Sequence, residues 1–160
     1  MKIAVLSGKG GTGKTFVTVN LAYANNNSVY IDCDVEEPNG HLFFKPKINN
    51  KKDICVKIPV CNDDLCDGCK KCVSFCEFHA LAYINNKLML FDKICHSCGG
   101  CEIICPQKAI SETDKVIGHY EYGYSGKTFI KTGYLKTGET TGIPIIKQLL
   151  KDDINSKDKD

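Results

Sequence analysis

The stretch CDGCKKCVSFC, residues 66–76, returns along the chain as CHSCGGCEIIC, residues 95–105. Both stretches have the cysteine spacing C-x₂-C-x₂-C-x₃-C, and every cysteine of the first recurs 29 residues later in the second. The residues beyond each last cysteine also match, with Ala80-Leu81 corresponding to Ala109-Ile110. Chance rarely duplicates a whole unit, so the chain contains one motif used twice.

This cysteine spacing is typical of sites that hold cubane iron-sulfur clusters. The fourth cysteine of such a run binds the cluster of the other half, because a short loop with three cysteines reaches only three corners of a cubane. The spacing therefore predicts two 4Fe-4S clusters. The expected ligands are Cys66, Cys69, Cys72 and Cys105 at site I, and Cys95, Cys98, Cys101 and Cys76 at site II.

Zinc and disulfides are the alternative uses of these cysteines. Structural zinc favours two C-x₂₋₄-C pairs with a longer spacer, which the three-residue cadence does not match. Disulfides need an oxidising compartment, and the apolar run at residues 1–6 is too short for a signal peptide. Eleven cysteines without such a signal predict a cytoplasmic protein whose thiolates bind metal.

The paired cysteine runs resemble the bacterial ferredoxin module with two 4Fe-4S clusters. Cys105-Pro106 keeps the proline that this module usually has, whereas Glu77 replaces it in the first half. Since eight cysteines already complete both clusters, His79 and His96 are expected to be surface residues.

A second motif lies near the N-terminus, where a predicted buried strand at residues 2–6 precedes a loop matching G-x-x-x-x-G-K-[ST]. Val17, Leu21 and Ala24 predict an amphipathic helix from Lys14 to Ala24. Backbone N–H groups of the loop and the helix N-terminus favour phosphate binding. The residues predicted to bind nucleotide are Gly8, Lys9, Gly10, Gly11, Thr12, Gly13, Lys14 and Thr15, with Lys14 on the phosphates and the Thr15 hydroxyl on Mg²⁺.

Ser28 to Ile31 is predicted to be a second strand, and it leads into Asp32 and Asp34. Carboxylates at i and i+2 point the same way, so both can face a Mg²⁺-nucleotide site. The alternative is a solvated strand end. Cys33 between them is interpreted as a small apolar residue.

The loop also resembles the deviant P-loop of the MinD, ParA and Mrp-type ATPases and the nitrogenase iron protein. In those families the lysine corresponding to Lys9 contacts phosphate across a nucleotide-sandwiched dimer, which implies a homodimer here. The resemblance further implies catalytic roles for Lys9 and Lys14, with Asp32 mainly on Mg²⁺ and Asp34 orienting the attacking water.

Between and after these motifs the pattern is weaker. Residues 41–57 are predicted to cross irregularly into an inserted module, with Cys55 and Cys61 on a short strand run at 54–60. Hairpins are predicted around Asn85-Asn86 and Ser125-Gly126, and a final helix has Pro144 in its first turn. The tail 151–160 is expected to fray. Tyr120, Tyr122, Tyr124 and Tyr134 are expected to pack on one side of their strands.

The parts together are similar to MinD-superfamily ATPases with an inserted ferredoxin domain. The expected fold class is α/β, a partial P-loop NTPase (parallel sheet with helices) interrupted by an α+β ferredoxin domain. The expected domains are residues 1–59, the first part of the nucleotide domain; 60–115, the ferredoxin-like insertion; and 116–160, a hairpin and helix that return to the nucleotide domain. The nucleotide domain looks incomplete, so ATP hydrolysis is expected only with further strands or a partner.

Three functions fit these motifs: ATP-dependent electron transfer through the clusters, ATP-dependent assembly or delivery of clusters, and a plain ferredoxin with a non-functional nucleotide site. The first implies ATP with Mg²⁺, two 4Fe-4S clusters and a redox partner protein. A net charge of +2 with dispersed lysines gives no basis for nucleic-acid binding, and no apolar stretch approaches the ~20 residues that span a bilayer. A DNA-partition or membrane-positioning ATPase is therefore the weakest alternative.

Overall fold

The computed structural model describes residues 1–8, 11–25 and 27–151. The helices are α1 Lys14–Ala24, α2 Gly40–Phe44, α3 Lys71–Phe75, α4 Gly100–Ile104 and α5 Ile143–Lys151. The strands are β1 Val29–Asp32, β2 Lys47–Cys61, β3 Leu81–Ile84, β4 Lys87–Leu90, β5 Ile110–Ser125 and β6 Thr128–Leu135.

The chain divides into two compact units. The sheet unit contains Met1–Ile54, Gly118–Lys136 and the chain from Thr141 onward, and the cysteine unit contains Cys55–Ile117 and Thr137–Thr140. The long strands β2 and β5 each run from one unit into the other. The boundary between the two units therefore falls within these two strands.

The four-stranded sheet has the order β1-β6-β5-β2. β1 and β6 are parallel, with Asp32 beside Thr132, whereas β5 and β6 form an antiparallel hairpin. The hairpin around Gly126 is thus confirmed, although β5 begins earlier than predicted, at Ile110. Parallel and antiparallel pairing with helices gives a mixed α/β unit.

Helices cover this sheet on both faces. Val19 and Ala22 of α1 form a buried cluster with Tyr30, Phe44 and Ile130. On α5, which has the predicted Pro144 in its first turn, Ile145 and Leu149 are fully buried. A Cβ on Gly133 would lie 2.8 Å from Ile145 and 2.9 Å from Leu149, so a glycine is what lets α5 approach the sheet. Residues 152–160, most of the predicted tail, lie outside the described residues.

Helix α1 has the predicted bounds but not the predicted buried face. Val17 and Leu21 are exposed, and Val19 and Ala22 are buried instead. Phe16 is also 67% exposed. Because apolar residues surround this helix on several sides, their spacing alone does not decide which side packs on the sheet.

The strand predicted at residues 2–6 is wrong for this structure. The segment has no regular secondary structure, and Ile3 and Leu6 are 60% and 87% exposed. It pairs with no strand in the part of the chain that the structure describes. A parallel strand needs neighbours to satisfy its backbone N–H and C=O groups, and the second parallel strand here is β6.

The irregular crossing predicted at residues 41–57 is also wrong. This segment forms α2 and most of the 15-residue strand β2. β2 lies at the sheet edge, where its lysines and asparagines can face water and Pro59 needs no ladder hydrogen bond. The polar composition was that of an edge strand rather than a loop.

The tyrosines lie on two faces rather than one. Tyr120, Tyr122 and Tyr124 occupy every second position of β5 and therefore lie on one face. The ring centres of Tyr122 and Tyr124 lie 5.8 and 4.9 Å from the ring centre of Phe129. Tyr134 of β6 pairs with His119 of β5, and their ring centres lie 4.9 Å apart. His119 directly precedes Tyr120, so it lies on the other face of the strand. Tyr134 therefore belongs to the opposite face of the hairpin.

In the cysteine unit, β3 and β4 form the predicted hairpin. Leu81 pairs with Leu90, and Ile84 pairs with Lys87. Asn85 and Asn86 have φ of 50° and 60°, the left-handed conformation that a tight two-residue turn requires. This sequence prediction is confirmed.

Candidate functional site

The backbone around the cysteines repeats with the same 29-residue offset as the sequence. Helices α3 and α4 occupy equivalent positions, each just before the last cysteine of its half. Left-handed residues recur as well, although several are not glycine. The pairs are Gly68 and Ser97 (φ 71° and 53°), Lys70 and Gly99 (59° and 72°), and His79 and Lys108 (both 51°).

Hydrogen bonds repeat in the same way and link the two halves. Asn62 N–H donates to the Ala109 carbonyl at 2.7 Å, and its counterpart Phe91 N–H donates to the Ala80 carbonyl at 2.8 Å. Ala80 N–H and Ala109 N–H also donate to the sulfurs of Cys76 and Cys105, at 3.4 and 3.3 Å. N–H donors that point at cysteine sulfurs are a feature of iron-sulfur sites.

A cavity brings together the four cysteines predicted for site I. Cys66, Cys69 and Cys72 line it from the first half, and Cys105 lines it from the second. Tyr83, Asp67, Lys70 and Gln107 complete much of its wall. A pocket with four thiols, one of them from the other half, is the donor set that a cubane cluster requires, so these residues fit that group.

The residues predicted for site II are arranged less completely. The Cys95 and Cys98 thiols lie close enough to Cys101 to act on it electrostatically. Burial raises the pKa of the Cys101 thiol to about 11, and these two neighbours act in the same direction. Burial likewise raises the pKa of Cys72. Metal binding must therefore displace protons from these thiols.

Within the described ranges, no group of three or more His, Cys, Asp or Glu side chains is placed to hold a single metal ion. A zinc site would gather its thiolates at ~2.3 Å around one point. A cubane instead separates its thiolates to four corners. None of the eleven cysteines, all of which lie in the described residues, forms a disulfide.

The remaining cysteines and the histidines have distinct surroundings. His79 and His96 are exposed, as predicted, and the His96 ring stacks on Phe78 at 3.7 Å. Cys55 is exposed rather than packed, and Cys33 is half-buried. Burial first, and the neighbouring Cys66 thiol second, raise the pKa of Cys61 to about 12. Its spacing gave no sign of this contact with a predicted ligand.

The glycine loop precedes α1 as the motif predicts. Gly11 and Gly13 have φ of 74° and 88°, and Gly13 is the N-cap of α1 without a side-chain capping bond. A Cβ on either glycine would meet no atom of the described residues within 4 Å, so this end of the loop leaves room for a ligand. Lys14 and Thr15 are the first two residues of helix α1. Lys9 and Gly10, both predicted to bind nucleotide, lie outside the described residues.

Asp32 and Asp34 differ in their surroundings. Asp32 is buried, and its carboxylate accepts hydrogen bonds from the N–H groups of Gly40 at 2.9 Å and Asp34 at 3.2 Å. Tyr30 O–H donates to it at 3.4 Å, while burial first and the Asp32 charge second raise the pKa of Tyr30 to about 12. The alternative that these aspartates are a solvated strand end is wrong for Asp32, which is buried and hydrogen-bonded to the following loop. It does describe Asp34, which is exposed.

The profile of the CbiA family, the CobQ/CobB/MinD/ParA nucleotide binding domain, matches residues 3–156. The chain belongs to this family. The open glycine loop and helix α1 are thus part of a nucleotide-binding domain of the P-loop ATPase type. Among the described residues, no helix is long and apolar enough to cross a membrane.

Two curated relatives come from Methanocaldococcus jannaschii. Uncharacterized protein MJ0578 is 41% identical over 85 residues, which are 51% of this chain and 30% of that protein. Uncharacterized protein MJ0579 is 30% identical over 107 residues, which are 64% of this chain and 39% of that protein. The chain therefore covers well under half the length of either relative.

Proposed function

We propose that this protein is an ATP-binding iron-sulfur protein of the MinD/ParA type that couples nucleotide binding or hydrolysis to electron transfer through two 4Fe-4S clusters. The observation that carries the proposal is the cavity lined by Cys66, Cys69, Cys72 and Cys105 in a chain of a nucleotide-binding family. The clusters would supply one-electron transfer when bound.

In the cysteine unit, the two halves hold the thiols that we assign to the clusters. Left-handed residues beside the cysteines turn each loop, and N–H donors point at the sulfurs of Cys76 and Cys105. Such donors tune the potential of a bound cluster. We assign Cys95, Cys98, Cys101 and Cys76 to site II by the same repeat.

In the sheet unit, the loop from Gly8 to Thr15 would bind the phosphates of ATP. Lys14 would neutralise phosphate oxygens, and the Thr15 hydroxyl would join the Mg²⁺ shell. Asp34 is exposed and able to orient water, whereas Asp32 already accepts backbone hydrogen bonds and would serve Mg²⁺ through its remaining lone pairs. Lys9 would contact nucleotide bound by a second copy.

The proposed coupling links the nucleotide loop in the sheet unit with the cysteines of the other unit. β2 and β5 are continuous strands that begin in one unit and end in the other. We infer that dimerisation on ATP changes the access of a redox partner protein to the cysteine unit, a switch of the ordered-element type. Loss of ATP-dependent dimerisation in Lys9→Ala is the expected result, and unchanged dimerisation would contradict the homodimer.

The first experiment measures binding of a fluorescent ATP analogue with Mg²⁺ to anaerobically reconstituted protein, together with its iron content. About eight irons per chain are expected for two cubanes. Lys14→Ala should abolish binding, and Lys147→Ala, which removes an exposed lysine of α5, should not. Equal binding by both variants, or an iron content near zero, would contradict the proposal.

A plain electron carrier is the second candidate, and one observation favours it. The segment at residues 2–6 that should support the glycine loop is exposed and unpaired within the described chain. Full iron content without nucleotide binding would indicate this function. ATP-dependent cluster assembly requires release of a cluster to an acceptor protein, whereas a sequence with four cysteines for each of two clusters favours permanent binding.

A further inference from the structure

The two predicted cluster sites share one backbone plan but differ in the side chains that surround them. The 29-residue offset pairs Lys70 with Gly99 and Tyr83 with Glu112. These positions touch in both halves. The Lys70 amine lies 5.6 Å from the centre of the Tyr83 ring, and a Cβ on Gly99 would lie 3.3 Å from Glu112 Oε1.

At site I these two positions hold a cation, Lys70, and an aromatic ring, Tyr83. Tyr83 and Lys70 both line the cavity of the four cysteines, and the Tyr83 hydroxyl lies where a Cβ on Gly68 would meet it at 2.6 Å. At site II the same place holds a carboxylate. Glu112 is half-buried and lies against Gly99, which stands between Cys98 and Cys101 in the sequence.

An electron added to a cluster increases its negative charge, so a nearby carboxylate disfavours reduction and a nearby cation favours it. We propose that Glu112 makes site II harder to reduce than site I, an inference that rests on the proposed function. Of two electrons from a one-electron reductant, the first stays at site I and the second enters site II.

One residue acts in the opposite direction. Asp67 also lines the site I cavity, and its carboxylate accepts hydrogen bonds from Gln107 at 3.1 Å and from Cys69 N–H at 3.0 Å. Its counterpart at site II is His96. Asp67 and Lys70 are both exposed and of opposite sign, so they offset each other and are screened by salt, whereas the half-buried Glu112 is screened less.

A further contact acts in the proposed direction. The Cys61 thiol lies close enough to Cys66 of site I to interact with it, and its counterpart in the second half is Leu90, which has no thiol. A donor to a ligand sulfur stabilises the more negative, reduced form. The S–H group is a weak donor, so the carboxylate of Glu112 remains the main difference.

The test is an anaerobic redox titration of the reconstituted protein, followed by EPR spectroscopy. Two reduction steps are expected. Glu112→Gln, which keeps the shape and removes the charge, should move the lower-potential step upward and leave the higher one in place. Asp114→Asn is the matched control, because it removes an exposed carboxylate from the same strand.

A reciprocal variant tests the assignment to sites. Tyr83→Glu places a carboxylate at site I and should move the higher-potential step downward, whereas Tyr83→Gln should not. A single step in the wild-type protein would overturn the inference, as would a Glu112→Gln shift no larger than that of Asp114→Asn. Iron content separates this inference from the proposed function. About eight irons per chain with equal potentials of the two clusters would contradict only this inference, and absence of iron would contradict both.

Discussion

The ring of Phe75 packs directly over the α-carbon of Gly100, so that a Cβ at position 100 would overlap the ring. Phe75 ends α3 and Gly100 begins α4, and the two residues belong to different halves of the repeat. This contact sets how closely the two helices approach each other beside the cysteines.

Gly100→Ala should therefore destabilise the cysteine unit. Overpacking of this kind costs about 1–3 kcal/mol when backbone or rings must shift. We expect a lower denaturant midpoint and a reduced iron content after reconstitution. The control is Lys71→Ala, which adds no atom at the equivalent position of α3; equal stability of the two variants would contradict this role of Gly100.

Asp32 should matter for folding as well as for any Mg²⁺ site. Asp32→Ala leaves the buried N–H of Gly40 without its acceptor, which costs about 1–3 kcal/mol. Asp34→Ala, at an exposed position, should cost much less. Urea unfolding in the absence of nucleotide measures both, and equal losses would show that the loop does not depend on Asp32.

His119 should make the sheet unit less stable in acid. Burial, with the Lys51 charge as the next cause, lowers the pKa of His119 below its usual 6.5. The folded state then binds a proton less readily than the unfolded state, so stability present above pH 6.5 is lost as the pH falls below it. Glu121, 3.5 Å away, and Asp53 act in the opposite direction.

Thermal unfolding between pH 7.5 and 5.5 measures this effect. His119→Gln should reduce the loss of stability over that interval, because glutamine does not titrate. His79→Gln serves as the control at an exposed histidine. Identical pH dependence in wild type and His119→Gln would contradict the prediction.

Lys115 should hold the segment Thr137–Thr140 on the cysteine unit. Its amine lies 2.9 Å from Glu139 and 3.0 Å from Asp92, and its side chain is only 15% exposed. Lys115→Met leaves two carboxylates facing each other without a cation and should cost about 2 kcal/mol. Faster trypsin cleavage after Lys136 is the expected readout.

Lys57→Met is the matched control for that experiment. Lys57 pairs with Asp114 at 3.0 Å, but both side chains are more than half exposed. Such surface pairs contribute ~0–1 kcal/mol. Cleavage rates that rise equally in both variants would contradict a specific role of Lys115.

Local signals in the sequence predicted local structure well. The Asn85-Asn86 turn, the Gly126 hairpin and the bounds of α1 all depend on residues near each other in the chain. The 29-residue repeat was equally visible, and its cysteine spacing predicted that Cys105 lies with the cysteines of the first half. Cys105 does line the cavity together with those three cysteines. These features need only spacing and turn chemistry.

Features that depend on distant parts of the chain were missed. Ile3 and Leu6 have the composition of a buried strand, yet composition does not supply a neighbouring strand. The lysines and asparagines of β2 suggested an irregular crossing, but they belong to a strand paired at a sheet edge. The contact of Glu112 with Gly99 likewise needs the fold, because no spacing rule joins a strand residue to a cysteine loop.

The reciprocal hydrogen bonds of Asn62 and Phe91 have a consequence for unfolding. Each begins in one half of the repeat and ends at an alanine of the other half. Neither half can detach without breaking both bonds, because each half supplies a donor and an acceptor. The duplicated cysteine unit should therefore unfold in one cooperative transition, in which both halves unfold together rather than one after the other.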